Sequence, residues 1–433
     1  MRSRLLSLGA ALVTALAGVV LAAPAAHAAT GLHIEGRDIV EANGQKFVMR
    51  GVNHMHTWYA NQTGSFADIK ALGANTVRVV LSGGRWTAND AADVTNVINL
   101  CKQNEMICVL ENHDTTGYGE DTAAYSLDQA ADYWIGLKSV LAGQEDYVVI
   151  NIGNEPIGNT DAGQWTAATV AAIQKMRGAG FEHLLMVDAP NWGQDWQYTM
   201  RDNAQTVLDA DTRHNTVLSI HMYAVFNTAA SITSYLDTFE RNGWPLVIGE
   251  FGWRFDAGQV DHETLLAEAD ARDLGYLGWS WAGNTDPILD MAVGFDADNL
   301  SEWGSRIFNG PHGIKATARE ASIFGGSSEP EPPVPGCTAT YAVTGQWQGG
   351  FQGEVRVTAG TAALNGWTVT WTYGNGQKVT QAWGTELTSS GATVTGRNAA
   401  WNGRVAAGAS ASFGFIGSWT GANAVPSVSC SAA

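Results

Sequence analysis

Residues 147–155 read YVVINIGNE, an apolar and β-branched run that closes abruptly in Asn154 and Glu155. A strand buried on both faces has this composition, because neither face needs a polar alternation. Seven further runs share the construction: FVMRGVN from 47, NTVRVVL from 75, MICVLENH from 106, LLMVDAP from 184, TVLSIHMY from 216, PLVIGEF from 245 and GYLGWSWAGN from 275. Their starts lie 28 to 41 residues apart. Ala-rich stretches of helical period separate them, such as 89–104 and 162–179. Alternation of buried strand and helix implies a parallel sheet covered by helices. Eight units in under 300 residues predict a (β/α)8 barrel over residues 30–324, the open doubly wound sheet being the alternative.

Outside this region the chain changes character. Residues 1–29 carry Arg2 and Arg4, an apolar run from Leu5 to Leu21 and the small-residue stretch APAAHAA. This is the pattern of a secretory signal peptide and predicts an extracellular protein with no membrane span. Residues 325–336, GGSSEPEPPVPG, hold four of the 11 prolines and read as an extended linker. Residues 337–433 alternate Thr, Val and aromatic residues in short runs such as EVRVT, GWTVTWTY and ASFGFIGSW, separated by Gly and Asn. That pattern predicts an all-β sandwich. Export makes four cysteines readable as two disulfides, and pairing within each region gives Cys101 with Cys108 and Cys337 with Cys430.

Composition narrows the partners. The net charge is -18 and only 15% of residues are charged, which argues against nucleic acid. The acidity belongs to residues 30–325, with 18 basic and 38 acidic side chains, whereas residues 337–430 hold four basic and two acidic ones. The chain has 17 Trp, more than its 13 Phe or 11 Tyr. Rigid indoles in excess of charge suit a neutral ligand with flat apolar faces.

In a barrel the active site forms at the C-terminal strand ends, so the polar residues closing each run are the candidates for chemistry. They include Arg78, Glu111, His113, Asn154, Glu155, His221, Tyr223, Glu250, Trp279 and Trp281. Two carboxylates on the fourth and seventh strands, Glu155 and Glu250, are the minimum equipment for cleaving a glycosidic bond. Arg78 beneath Glu250 and a hydrogen bond from Tyr223 would favour its anion and make it the nucleophile. Glu155, its acidity weakened by the neighbouring charge, would serve as acid and then base. Trp279 and Trp281 both remain candidates for an aromatic platform, since W-S-W on a strand points both to one side. His54, His56 and Trp58 either line the cleft or pack in a loop. Asp261, His262 and Glu263 read as a solvated helix start, the alternative being a structural calcium site. The chemistry itself calls for no cofactor or metal.

With these residues in place, NIGNEP around Glu155, HMY at 221–223, GEFG around Glu250 and WSWAGN after the eighth strand resemble glycoside hydrolase family 5. Within it, GVNHMHTWY, LENHDTTGYGED and SIHMYAVF resemble the bacterial endo-β-1,4-mannanases. The resemblance implies Glu155 as acid/base, Glu250 as nucleophile, and Arg78, His113, Asn154, His221 and Tyr223 as their support. It implies a monomer acting on β-mannan, with an endo-β-1,4-glucanase as the alternative on the same fold and a non-catalytic lectin as the alternative outside it.

The C-terminal segment holds six Trp in 94 residues. Trp367 and Trp371 sit in an apolar alternating run and are expected to face inward. Trp347, Trp383 and Trp401 lie among small or polar neighbours and are expected to be exposed. VTQAW, RNAAWNG and FGFIGSWTG resemble the family 2 carbohydrate-binding modules, which implies those three indoles as a cellulose-binding strip, with Gln381 or Asn402 as polar helpers.

Overall fold

The computed structural model describes residues 31–432 apart from 256–257, 327–335, 360–361, 407–408, 422, 424 and 427. Residues 1–29, which the sequence reads as a signal peptide, and most of the expected linker lie outside the described residues. The chain divides into two compact units, the boundary falling between Gly326 and Ser327.

In the first unit every one of the eight apolar runs forms a strand. These are β1 (Arg50–His54), β2 (Thr76–Leu81), β3 (Ile107–Asn112), β4 (Val148–Asn151), β5 (Leu185–Asp188), β6 (Thr216–Met222), β7 (Leu246–Phe251) and β8 (Gly275–Gly278). They pair in parallel and in chain order, and β8 pairs with both β7 and β1, so the sheet closes on itself. The crossover helices include α1 (Ser65–Ala71), α2 (Ala91–Gln103), α3 (Leu127–Gly136), α4 (Trp165–Gly178), α5 (Thr199–Asp209), α6 (Ala229–Asn242), α7 (His262–Ala271) and α8 (Glu302–Asn309). Side chains cap several of them: Asp90 opens α2, while Ser126 and Thr228 form capping boxes on α3 and α6. Each such cap satisfies backbone donors that a helix start leaves unpaired. A hairpin, His33–Glu35 with Asp38–Val40, precedes the barrel.

Two apolar layers divide the labour of packing. Alternate strand residues such as Val77, Val79, Val148, Ile150, Leu185 and Leu218 face the helices. Val109, Val149, Met186, Val217, Val247 and Leu277 form a second cluster with Leu32 and Ile39 of the hairpin segment, which fills the lower barrel as side-chain layers do in this fold. Above that plug the same inward positions turn polar, at Arg78, Asn151 and Asp188. The pattern slips once by one residue. Ile220 pairs with Ile248 but His221 pairs with Glu250, so Gly249 is the extra residue of a bulge, which re-aims the next side chain. No side chain fits at Gly249, where a Cβ would stand 2.3 Å from Ser219 Oγ.

The predicted Cys101–Cys108 disulfide is not formed. Cys101 in the last turn of α2 and Cys108 on β3 are free, buried thiols with Sγ atoms 2.8 Å apart, well beyond the roughly 2.05 Å of a bond. Burial pushes the Cys101 thiol well up, and the neighbouring Cys108 adds to this, so the thiolate needed for disulfide exchange is disfavoured.

The second unit is a sandwich of two four-stranded antiparallel sheets. One contains β9 (Cys337–Trp347), β10 (Gly350–Ala359), β15 (Ser410–Ser418) and β12 (Lys378–Trp383), in that order. The other contains β13 (Thr385–Ser390), β14 (Thr393–Asn398), β11 (Trp367–Thr372) and β16 (Val428–Ala432). A Cys337–Cys430 disulfide joins β9 to β16 across 93 residues of sequence. Trp367 and Trp371 are buried and stack on Phe413.

Candidate active site

Arg78 organises the barrel mouth. Its guanidinium is wholly buried on β2 and donates through Nε to Asn151 Oδ1 at 2.9 Å, through Nη1 to Asn53 Oδ1 at 2.8 Å and Glu250 Oε1 at 2.7 Å, and through Nη2 to Asn154 Oδ1 at 2.7 Å and Asp188 Oδ2 at 3.2 Å. A buried cation is tolerable only with such partners. Burial alone would lower its pKa, but the charges of Glu111, Glu250 and Asp188 outweigh that and raise it.

Glu250 receives a second anchor from the Tyr223 hydroxyl, which donates to Oε2 at 2.9 Å. Glu155 hangs from the segment after β4 with a φ of 40°, a left-handed conformation that costs on the order of 1 kcal/mol for a non-glycine residue and persists where the surroundings impose it. Its N–H donates to Asp188 Oδ2 at 3.3 Å and its carbonyl accepts from Gly117. His221 stands between the two acids, with Nδ1 2.9 Å from Glu155 Oε1 and 3.6 Å from Glu250 Oε2, and Nε2 3.2 Å from Asp188 Oδ2.

The electrostatics differ in one respect from the sequence expectation. Burial pushes the Glu250 carboxyl upward, and His221 and Arg78 only partly pull it back. Desolvation works against the His221 imidazolium, yet the charges of Glu250 and Asp188 carry its pKa up to about 10. Asp188, despite burial, is held down at about 2 by His221 and Arg78. On His113, burial is outweighed by Glu111, 3.1 Å from Nδ1, and the pKa is raised.

Carboxylate oxygens of Glu155 and Glu250 and a ring nitrogen of His221 all lie within 4.8 Å of one another. Three such donors are the kind that hold a divalent cation, but here each is engaged with another or with Arg78. Asp261 caps α7 by accepting from Thr264 N, and Glu263 pairs with Arg306, so this cluster acts as a helix start.

The two tryptophans of W-S-W differ in where they stand. β8 ends at Gly278, and beyond it the two-residue alternation no longer applies. Trp279 lines the cleft and stacks on His113 with ring centroids 5.9 Å apart, whereas Trp281 is fully buried against Phe308. His54 and His56 are also buried, and His56 Nε2 meets Asp93 at 3.1 Å, so both are packing residues. Trp58 is exposed and packs edge-on to Trp86 and His113.

Sequence reading missed Asp188, Asn151 and Asn53, although LLMVDAP ends in a polar residue like its neighbours. It also missed the cleft wall formed by Asn159, Trp192, Gln194 and Trp196, which with the acids encloses about 670 Å³.

On the sandwich, Trp347, Trp383 and Trp401 are 51%, 45% and 76% exposed. Glycines make room for two of them: a Cβ at Gly350 would stand 2.3 Å from the Trp347 indole, and one at Gly414 2.4 Å from that of Trp383. Gln381 is exposed, but Asn402 is buried and donates to the Gly384 carbonyl, which makes it a loop fastener rather than a polar helper.

Residues 40–285 match the cellulase family, glycosyl hydrolase family 5, and residues 337–432 match the cellulose binding domain. A mannan endo-1,4-β-mannosidase of Streptomyces lividans is 57% identical over 319 residues, covering 73% of this chain and 83% of that protein. The crystal structure of a β-mannanase from Streptomyces thermolilacinus with mannohexaose is 63% identical, covering 68% of this chain and 99% of that one, with a TM-score of 0.68. The sandwich is similar to part of an endoglucanase A of Thermobispora bispora, at 55% identity over 97 residues, 22% of this chain and 21% of that protein. With two carboxylates converging in the mouth of a closed eight-stranded barrel, the chain belongs to glycosyl hydrolase family 5 and carries a cellulose-binding domain.

Proposed function

We propose that the protein is a secreted endo-β-1,4-mannanase that cuts internal linkages of mannan, glucomannan or galactomannan with retention of configuration, while its C-terminal module holds it to cellulose. The observation that carries the reading is the Glu155–Glu250 pair, with oxygens within 4.8 Å. Retaining glycosidases place their carboxyls about 5–5.5 Å apart, and inverting ones about 6.5–9.5 Å to admit a water between them. The names of the relatives support mannan as the substrate, and the exposed Trp347, Trp383 and Trp401 support a flat sugar surface for the module.

Glu250 attacks the anomeric carbon while Glu155 gives its proton to the glycosidic oxygen, and the leaving chain departs as an alcohol. Arg78 and Tyr223 each hold one oxygen of Glu250, fixing its direction of attack. In the second step Glu155, now a carboxylate, takes a proton from water. That water oxygen attacks the anomeric carbon and frees Glu250. His221, as an imidazolium, offsets the negative charge that the two acids and Asp188 bring together. Carboxylates and water suffice for every step.

Replacing Glu250 with Ala is expected to lower kcat on mannan by about 10⁴-fold or more, and NMR of the first products is expected to show the β-anomer. Wild-type activity in the variant removes the nucleophile, and α-anomer removes the mechanism. Initial rates on mannan against soluble cellulose decide the substrate, a preference for cellulose favouring the endoglucanase alternative. The N-terminal sequence of the mature protein tests export, expected to begin near residue 30.

A further inference from the structure

One buried side chain grips Glu155 at both ends. Asp188 closes β5, and its carboxylate is withdrawn from solvent. Oδ1 accepts from Asn151 Nδ2 at 3.0 Å, while Oδ2 accepts from Arg78 Nη2 at 3.2 Å and from Glu155 N at 3.3 Å and faces His221 Nε2 at 3.2 Å. The contact with Glu155 N falls on the residue whose φ is 40°, so it helps to hold a conformation that an unsupported backbone would leave. The contact with His221 reaches the other end of the same residue, since Nδ1 of that ring is 2.9 Å from Glu155 Oε1. Arg78 already has Glu250 at 2.7 Å and Glu111 at 4.0 Å, so neutralising its charge does not by itself call for a third acid.

What Asp188 does through the ring follows from the chemistry of imidazole, in which the partner of one nitrogen decides the state of the other. A neutral His221 with its proton on Nε2, toward Asp188, would present a lone pair to Glu155 Oε1 and draw the acid's proton to that oxygen. An imidazolium presents an N–H there, and Oε1 must accept. The proton that the acid gives up is then left on Oε2. The charged groups facing His221 favour this second state: Glu155 after β4, Asp188 on β5, and Glu250 on β7 with Oε2 3.6 Å from Nδ1, while Arg78 opposes them from behind Asp188. Burial works against the cation, but Glu250 and Asp188 carry the ring's pKa up to about 10. When Glu155 returns as base, the same N–H keeps Oε1 engaged and Oε2 takes the proton from water.

We propose that Asp188 is a positioning residue for the acid: it fixes the Glu155 peptide directly and, through a doubly protonated His221, places the transferable proton on Oε2. The proposal rests on Glu155 being the acid. It is tested in the full-length protein with Asp188→Asn, which keeps the shape and removes the charge, on mannan and on aryl β-mannobiosides whose phenols differ in acidity. A poor leaving group needs the acid and a good one does not. For Asp188→Asn, kcat/KM is expected to fall about 10²-fold on mannan and less than about tenfold on the dinitrophenyl mannobioside, so that its dependence on the leaving group steepens as that of Glu155→Ala does. Nitrogen NMR of the histidine-labelled wild type at neutral pH, with His221→Gln to identify the signals, is expected to show both ring nitrogens of His221 protonated, a result that needs no variant of Asp188 to fold. Equal losses on every leaving group would make Asp188 a structural residue, and a neutral His221 ring would leave it without the lever described; both overturn the proposal. Losses in Glu155→Ala that ignore the leaving group would instead overturn the acid assignment beneath it.

Discussion

The barrel mouth and the sandwich face are both rich in groups suited to sugar, but they are built on opposite principles. In the mouth, Arg78, Asp188, His221 and Glu250 are buried in mutual contact, and each depends on the others for its charge state. On the sandwich, Trp347, Trp383 and Trp401 are open to solvent, and the module has almost no charge with which to build a network. Breaking bonds needs preorganised charge shielded from water; holding a flat surface needs exposed area and little else. The chain's acidity follows the same division, lying almost wholly in the barrel unit.

After Glu250→Ala, Glu155→Ala probes the charged network with the next largest expected effect. It should cost about 10³-fold on mannan, and azide should restore turnover of an aryl mannobioside, yielding the β-mannosyl azide. Formation of the α-azide would exchange the roles assigned to the two acids. On the other unit, replacing both Cys337 and Cys430 with Ser should destabilise the sandwich by about 4 kcal/mol on a chain-entropy model. Cellulose pull-down after graded heating should then fail at lower temperature, while thermal loss of mannan hydrolysis should be unmoved. A parallel shift of both would show that the two units do not behave separately.

Trp383→Ala is expected to weaken cellulose pull-down about tenfold and to leave initial rates on soluble mannan as they were. Undiminished pull-down would deny the exposed indole its role. The smallest effect is a slope. His221 is raised from 6.5 to about 10 in the fold, so its contribution to stability is full below the unfolded value and is lost as pH rises through the folded one. The unfolding temperature should therefore decline between those limits more steeply in the wild type than in His221→Gln. Equal slopes would mean that the imidazole is neutral among its carboxylates.

Much of the barrel is legible because its signal is local and repeated. A run such as NTVRVVL or TVLSIHMY states in a few residues that both faces are covered, and the polar residue at its end marks the working rim. Glu155 and Glu250 are found this way, as are Arg78, His221 and Tyr223. Asp188 is open to the same reading, but a single Asp after an apolar run also resembles an ordinary turn residue. The wall at Asn159, Trp192 and Trp196 had no comparable signal, since its parts come from two loops and a left-handed path that no periodicity describes. The expectation for Cys101 and Cys108 rests on chain proximity and export; the fold brings the sulfurs to 2.8 Å but leaves both cysteines free and buried.

The sequence by itself determined the alternation that closes the barrel, the strand ends that carry the acids, and the exposure of Trp347, Trp383 and Trp401, because each depends on hydropathy within a few neighbouring residues. Only the tertiary structure decided that Gly249 bulges so that Glu250 turns inward, that Trp279 rather than Trp281 faces the cleft, and that burial outweighs Arg78 in setting the acidity of Glu250. Those outcomes depend on distances between residues far apart in the chain, and on how much water the closed sheet excludes from them.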